Sequence, residues 1–201
     1  MPSFLTSVAS AFTISVATLA TMHASHAEPH QYELDPTHTT VFFTVDHIGY
    51  AKTLGVFGAV EGTFTYDMEN QELSDVNVKI QASNVTTFHK ARDGHVKNKD
   101  FLNAKIFPEI SFTASSGDPK DEKSGTVTGN LNLIGETKPV TLNVKLNKAE
   151  KYPFGHQRFV LGLSMDTIIK RSEFGMDYAV LNGLVGDDVD VRIETEAMRV
   201  E

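Results

Sequence analysis

A chain of 201 residues with 40% hydrophobic content has room for one domain with a full core, and wholesale disorder is excluded. Its formal charge of −8 argues against nucleic acid as a partner, because phosphate binding needs a basic surface. The absence of cysteine removes disulfides, thiol catalysis, thiolate metal sites and an N-terminal lipidated cysteine together.

Residues 1–27 carry no Asp, Glu, Lys or Arg; the first charged side chain is Glu28. The stretch from Phe4 to Ala20 mixes apolar residues with small hydroxyl residues and closes on Ala24-Ser25-His26-Ala27. Small residues at Ser25 and Ala27 predict a secretory signal peptide cleaved after Ala27, leaving a mature domain at 28–201. Its Thr and Ser content makes it a poor membrane-spanning helix. Nothing later reaches the roughly 18 consecutive apolar residues of a membrane span. Export without cysteine fits a bacterial periplasm.

Beyond the leader, strict two-residue alternation dominates, the period of a strand with one wet and one dry face. Thr39, Val41, Phe43, Val45 and His47 share one side, followed by Val60, Gly62, Phe64 and Tyr66, then Val76, Val78, Ile80 and Ala82. The pattern resumes at Ile110, Phe112 and Ala114, and continues through Val127 to Leu133, Val140 to Leu146, Phe159 to Thr167, and Val189 to Ala197. Turn chemistry separates these runs at Asp67 to Gln71, Gly117-Asp118-Pro119, Gly135-Glu136-Thr137 and Tyr152-Pro153-Phe154-Gly155. The expectation is an all-β fold, an extended eight-stranded antiparallel barrel. A flat sandwich shares the same alternation.

Ser83 to Phe107 breaks the period and predicts a short helical insertion around residues 86–105, with one or two helices near Phe88–Arg92 and Lys99–Leu102. A long connection among tight turns is often a lid or binding loop. Five cations here (Lys90, Arg92, Lys97, Lys99, Lys105) face two carboxylates, so the window is +3 and the rest of the mature chain is −11. A solvated helical face is the plain account, and an anion contact at Arg92 the sharper one.

No enzyme motif of the nucleophile-elbow, zinc-protease or phosphate-loop kind is present. Asp187-Asp188 reads as a solvated turn at a strand entrance. His89 and His95 do not share one face of a short helix, so no metal or other cofactor is expected. His47 lies on the apolar side, where a buried hydrogen-bonded histidine is the plain reading. Thirteen phenylalanines and no tryptophan are more informative. Phe43, Phe64, Phe112 and Phe159 fall on inward faces, and Phe57, Phe88 and Phe101 in connecting segments.

Asp35-Pro36-Thr37-His38-Thr39 followed by Val41-x-Phe43-x-Val45-x-His47 resembles the polyisoprenoid-binding, lipocalin-like YceI family of periplasmic proteins. The resemblance runs through Gly55-x-Phe57, Gly62-x-Phe64, Arg92-Asp93, Asp100-Phe101-Leu102 and Phe107-Pro108-Glu109-Ile110-x-Phe112. It ends with Gly129-x-Leu131-x-Leu133-x-Gly135-x-Thr137-Lys138-Pro139-Val140 and Arg171-x-x-Phe174-Gly175. Thr39 stands where family members usually carry serine and keeps the hydroxyl. The resemblance implies a non-catalytic carrier with a long lipid in its lumen: a polyisoprenoid, an isoprenoid quinone, or a fatty acid or amide. It implies that Phe43, Val45 and His47 line the lumen with Phe57, Phe64, Phe88, Phe101 and Phe112, and that Arg92 lies near the mouth. Transient membrane contact and a homodimer are both compatible with that reading. A barrel-based hydrolase is the competing class.

Overall fold

The computed structural model describes residues 28–201, so the expected leader lies outside the described residues. Twelve strands occur among the described residues. They are β1 (His30–Leu34), β2 (Thr40–His47), β3 (Ala51–Phe57), β4 (Val60–Asp67), β5 (Glu72–Gln81) and β6 (Val85–Thr86), then β7 (Glu109–Ala114), β8 (Asp118–Asp121), β9 (Ser124–Leu133), β10 (Glu136–Lys151), β11 (Phe159–Lys170) and β12 (Val185–Arg199). One α-helix, α1 (Lys90–Val96), lies in the long connection after β6. All pairings are antiparallel, and the order β1-β4-β5-β7-β9-β10-β11-β12 returns to β1. The sheet is therefore a closed barrel of eight strands, not a sandwich.

The remaining strands extend this ring. β1 and β2 form one strand broken at Asp35–Thr39; β3 and β4 form another, broken at Gly58-Ala59. β12 is long enough to pair with β2 over its first part and β1 over its last, with Ile193↔Val41 and Ala197↔Leu34 in register. β3 escapes the alternation signal for a physical reason. Its inward positions are Thr53, Gly55 and Phe57, while Leu54 and Val56 point outward, so its apolar pattern is inverted. Phe57 thus belongs to a strand, not a connection, and is buried. Of the one or two helices expected, the insertion holds one, α1, and Lys99–Leu102 forms turns.

Most buried hydrophobic side chains fall into two clusters. Tyr32, Phe64, Leu161 and Ala197 close one end, with the Tyr32 and Phe64 rings stacked at 5.3 Å. Phe57, Val60, Val85, Leu102, Phe174 and Met176 belong to the second cluster, where the insertion packs onto the barrel. Between them the inward rows, such as Val76, Val78 and Ile80 on β5 or Val140, Leu142 and Val144 on β10, are only half-buried. They face an interior that side chains do not fill. Two glycines shape that wall. A Cβ on Gly55 would come within 2.1 Å of the Phe43 ring, and one on Gly129 within 2.4 Å of the Phe112 ring. Each aromatic ring covers a neighbouring strand because no side chain stands there.

The break between β1 and β2 sits where β12 changes partner. Asp35 N donates to the Glu196 carbonyl at 2.8 Å, and Asp35 Oδ1 accepts from Thr37 N and Oγ1. Asp35 Oδ2 lies 2.7 Å from His38 Nδ1, with Glu196 Oε2 at 3.9 Å. Partial burial works against ionisation of Asp35, but the bonds from His38 and Thr37 outweigh it and hold the carboxyl down at about 2. The hydrogen bond to Asp35 raises the His38 pKa above 6.5, helped by the Asp35 and Glu196 charges. A raised histidine stabilises the fold fully below 6.5 and loses that effect as pH rises through its folded value. A depressed Asp stabilises above 3.8 and loses its effect as pH falls towards about 2. The clasp is complete between those limits. The melting temperature should therefore fall modestly as pH rises from about 6 to about 8, and His38→Gln should flatten that slope. An unchanged slope in the variant would show that this clasp adds nothing to stability.

Candidate functional site

The barrel encloses a cavity of about 560 Å³, within the range of sites that hold small molecules. Its wall is built from the inward rows of β2, β5, β7, β9, β10, β11 and β12. The acidic, basic and histidine residues of the wall are Asp46, His47, Arg92, His95 and Arg171, and all of them lie at one end. There the wall also includes exposed residues: Ile48 from the β2–β3 turn and Tyr178 and Leu184 from the segment before β12. That end is the mouth.

Deeper in, the wall is largely apolar, and three of its hydroxyls are engaged with the protein. Thr39 and Thr195 are buried and share a hydrogen bond of 2.6 Å; Thr167 Oγ1 donates to the Thr141 carbonyl at 2.8 Å. Such pairing meets the need of buried polar groups for a partner. It leaves a lumen suited to an uncharged chain. A smaller cavity of about 110 Å³ adjoins the opposite end and shares Phe64, Leu73, Val127, Val144 and Leu163 with the main wall.

Phe43, Val45, His47, Phe57, Phe64, Arg92, Phe101 and Phe112 all line the main cavity. The closed ring brings these residues together from five separate stretches of chain. Phe88 does not join them. It is 71% exposed and adopts a left-handed backbone at φ 62°, which turns it outside the wall. His47 lines the cavity but sits exposed at the end of β2, so the expected buried histidine is corrected. Asp187 is not a purely solvated turn residue: Oδ1 accepts from Ser172 N and Oδ2 from Ser172 Oγ. His89 and His95 are engaged separately. The His89 ring accepts from Arg92 N, and His95 Nε2 lies 3.1 Å from Asp100 Oδ2.

Arg92 is held in place by a specific local network. Its Nε donates to Thr87 Oγ1 at 2.9 Å and its Nη2 to the Thr87 carbonyl at 2.7 Å. Thr87 Oγ1 in turn donates to Asp93 Oδ1 at 2.6 Å, and Thr87 N donates to the same oxygen at 2.5 Å. These bonds hold the Asp93 carboxyl below its ordinary range. Arg92 and Asp93 therefore clamp Thr87 between them and do not pair directly. Arg92 Nη1 takes no part in these bonds.

Sequence reasoning gave no role to Arg171, beyond its place in a resemblance. It is buried, with Nε donating to the Gly186 carbonyl, Nη1 to Met176, and Nη2 to both Tyr178 and Val185. Four carbonyls from two segments converge on one side chain, which fixes the loop before β12. Its guanidinium carbon lies 5.6 Å from the Phe101 ring centroid. Phe101, His95 and Tyr178 pack edge-on to one another with centroids 5.0–5.4 Å apart. The mouth thus has an aromatic inner collar anchored on a buried cation.

The pattern of the YceI-like domain matches residues 32–197. The chain belongs to the YceI-like family. Protein YceI of Salmonella arizonae is 34% identical over 192 residues, covering 94% of this chain and 95% of that one. The YceI-like barrel also superposes on the crystal structure of the Campylobacter jejuni YCEI protein, with a TM-score of 0.70 at 24% identity, covering 94% of this chain and 100% of that one. A polyisoprenoid binding domain from Saccharophagus degradans, implicated in plant cell wall breakdown, shares the fold with a TM-score of 0.59. It is 15% identical and covers 84% of this chain and 98% of its own. In this YceI-like chain Val45 is the clearest wall position to test. Val45→Trp should sharply reduce uptake of a long-chain fluorescent probe, with a stability loss of about 1–3 kcal/mol from overpacking. A folded variant that takes up the probe as well as wild type would remove Val45 from the wall.

Proposed function

We propose that this YceI-like protein is a non-catalytic carrier that works in the periplasm and holds a long apolar lipid in its lumen. The observation that carries this reading is the continuous apolar wall, with every charged lining residue gathered at one end. Burying a hydrocarbon chain contributes about 0.8 kcal/mol per methylene and is non-directional, so the tail binds by its length. A polyisoprenoid or isoprenoid quinone is the cargo we favour, and the binding activity named for the Saccharophagus degradans domain supports that class. Three ionisable groups near the mouth are committed to the protein itself, which supports a non-catalytic role. Arg171 is committed to carbonyls, Asp187 to Ser172 and Asp46 Oδ1 to Gly49 N. Protein released by osmotic shock should begin at Glu28, and its organic extract should contain a stoichiometric lipid by mass spectrometry. Full-length precursor in washed membranes, or an extract without lipid, would overturn the reading.

Arg92 is the group we assign to a head-group contact. Its clamped position leaves a planar fork able to donate parallel hydrogen bonds to phosphate oxygens. Arg92→Gln should weaken binding of a prenyl diphosphate selectively over the matching prenyl alcohol. The expected difference is on the order of 1.5–3 kcal/mol, the range for a charged hydrogen bond. Equal losses for both ligands, or no loss, would reduce Arg92 to shaping the loop through Thr87.

A further inference from the structure

The large exposed apolar side chains are unevenly distributed. Ile48, Tyr50, Phe88, Tyr178, Leu181 and Leu184 all belong to the segments that surround the mouth. The others, such as Met68, Phe154 and Ile168, are single residues on other turns or on the outer wall. The two sides of the rim are joined. Ile48 N donates to the Leu184 carbonyl at 3.1 Å, and His47 pairs with Val185, so the β2–β3 turn and the loop before β12 form one continuous edge. Ile48, Tyr178 and Leu184 also line the cavity, so the rim runs directly into the lumen wall. Tyr50 is 90% exposed and Leu181 fully exposed, and neither lines the cavity. They are the most exposed residues of the edge.

Charge at this end is divided between a basic side at α1 and an acidic side at the loop before β12. Lys90, Arg92, Lys97 and Lys99 lie on or next to α1 beside the mouth, within the +3 window of an otherwise acidic mature chain. On the facing side Asp188 pairs with Lys170 and Asp190 with Lys52, while Asp46, Glu173 and Asp187 keep their charge. Asp177 lies in the field of Arg171. Contiguous apolar surface rimmed by polar groups marks an interaction site. Tyrosine and aliphatic residues flanked by cations suit the boundary of an anionic bilayer.

We infer that the rim of Ile48, Tyr50, Tyr178, Leu181 and Leu184 docks this protein, mouth first, on the surface of an anionic lipid bilayer. The inference rests on the carrier reading, because an apolar cargo passing between bilayer and lumen needs a path without water. Docking makes the lumen wall continuous with the hydrocarbon of the membrane. The basic flank of α1 orients the approach, and Tyr50 and Leu181, the most exposed of the rim, enter the interface.

The test is flotation of the full mature chain with vesicles of phosphatidylcholine, alone and mixed with phosphatidylglycerol. It is run beside mass spectrometry of lipid loaded from detergent and light scattering for oligomeric state. Wild type should float with the mixed vesicles, less at high salt. The double variant Tyr50→Ser, Leu181→Ser should lose about tenfold or more in partition while keeping its lipid load. Wild type that carries lipid yet never floats overturns the docking and leaves the carrier reading intact. Flotation without any bound lipid supports the docking and overturns the carrier. Flotation unchanged in the double variant overturns the rim, because charge alone then accounts for attachment. A concentration-dependent dimer that the double variant abolishes also overturns the proposal, with a second copy as occupant.

Discussion

A closed ring of hydrogen-bonded strands cannot shrink, and this constraint governs the rest of the structure. Strand spacing and tilt fix the circumference, so eight strands set an interior that side chains either fill or leave partly open. Here the inward rows are largely Val, Leu, Ile and Phe, and a cavity of about 560 Å³ remains between them. The residues of β5 and β10 consequently stay half-buried inside a folded barrel. The hydrophobic core is displaced to the two ends, where Tyr32 and Phe64 close one side and the insertion packs against the other.

Closure is achieved at the Asp35–His38 break. β12 serves two partners in succession, and a straight first strand would not follow it through the change. The break absorbs the change of direction, and its exposed backbone is held by Thr37, His38 and Glu196. The same motif that signals the family in the sequence is thus a joint of the barrel and lies away from the mouth.

The mouth depends on a different device. Irregular backbone next to a cavity leaves carbonyls without partners, and Arg171 takes four of them at once. Burial lowers its pKa, while the Asp187 and Asp177 charges oppose that shift. One buried cation therefore ties the aromatic collar, the loop before β12 and the rim to the barrel body. Thr87 does the same for α1 on the facing side, through Asp93 and Arg92.

Much of the fold was legible in the sequence because period two reports directly on a strand with one dry face. Val41, Phe43 and Val45, or Val140, Leu142 and Val144, need only local spacing to be assigned inward. β3 was not legible, since Gly55 and Thr53 face in while Leu54 faces out, and only its pairing with Phe43 explains that inversion. The helical insertion was visible as a loss of period, but whether Lys99–Leu102 coiled or turned depended on contacts outside the segment. Ring closure, rather than any motif, decided between barrel and sandwich. The aromatics on strand faces were placed correctly by spacing, whereas Phe88 was turned outward by a backbone conformation that composition does not encode. Arg171 stood out only as part of the resemblance, because its role comes from carbonyls supplied by residues up to 15 positions away. The sequence by itself determined which face of most strands is apolar. Tertiary structure decided that those faces surround a space, because the size of a closed ring is a property of all its strands together.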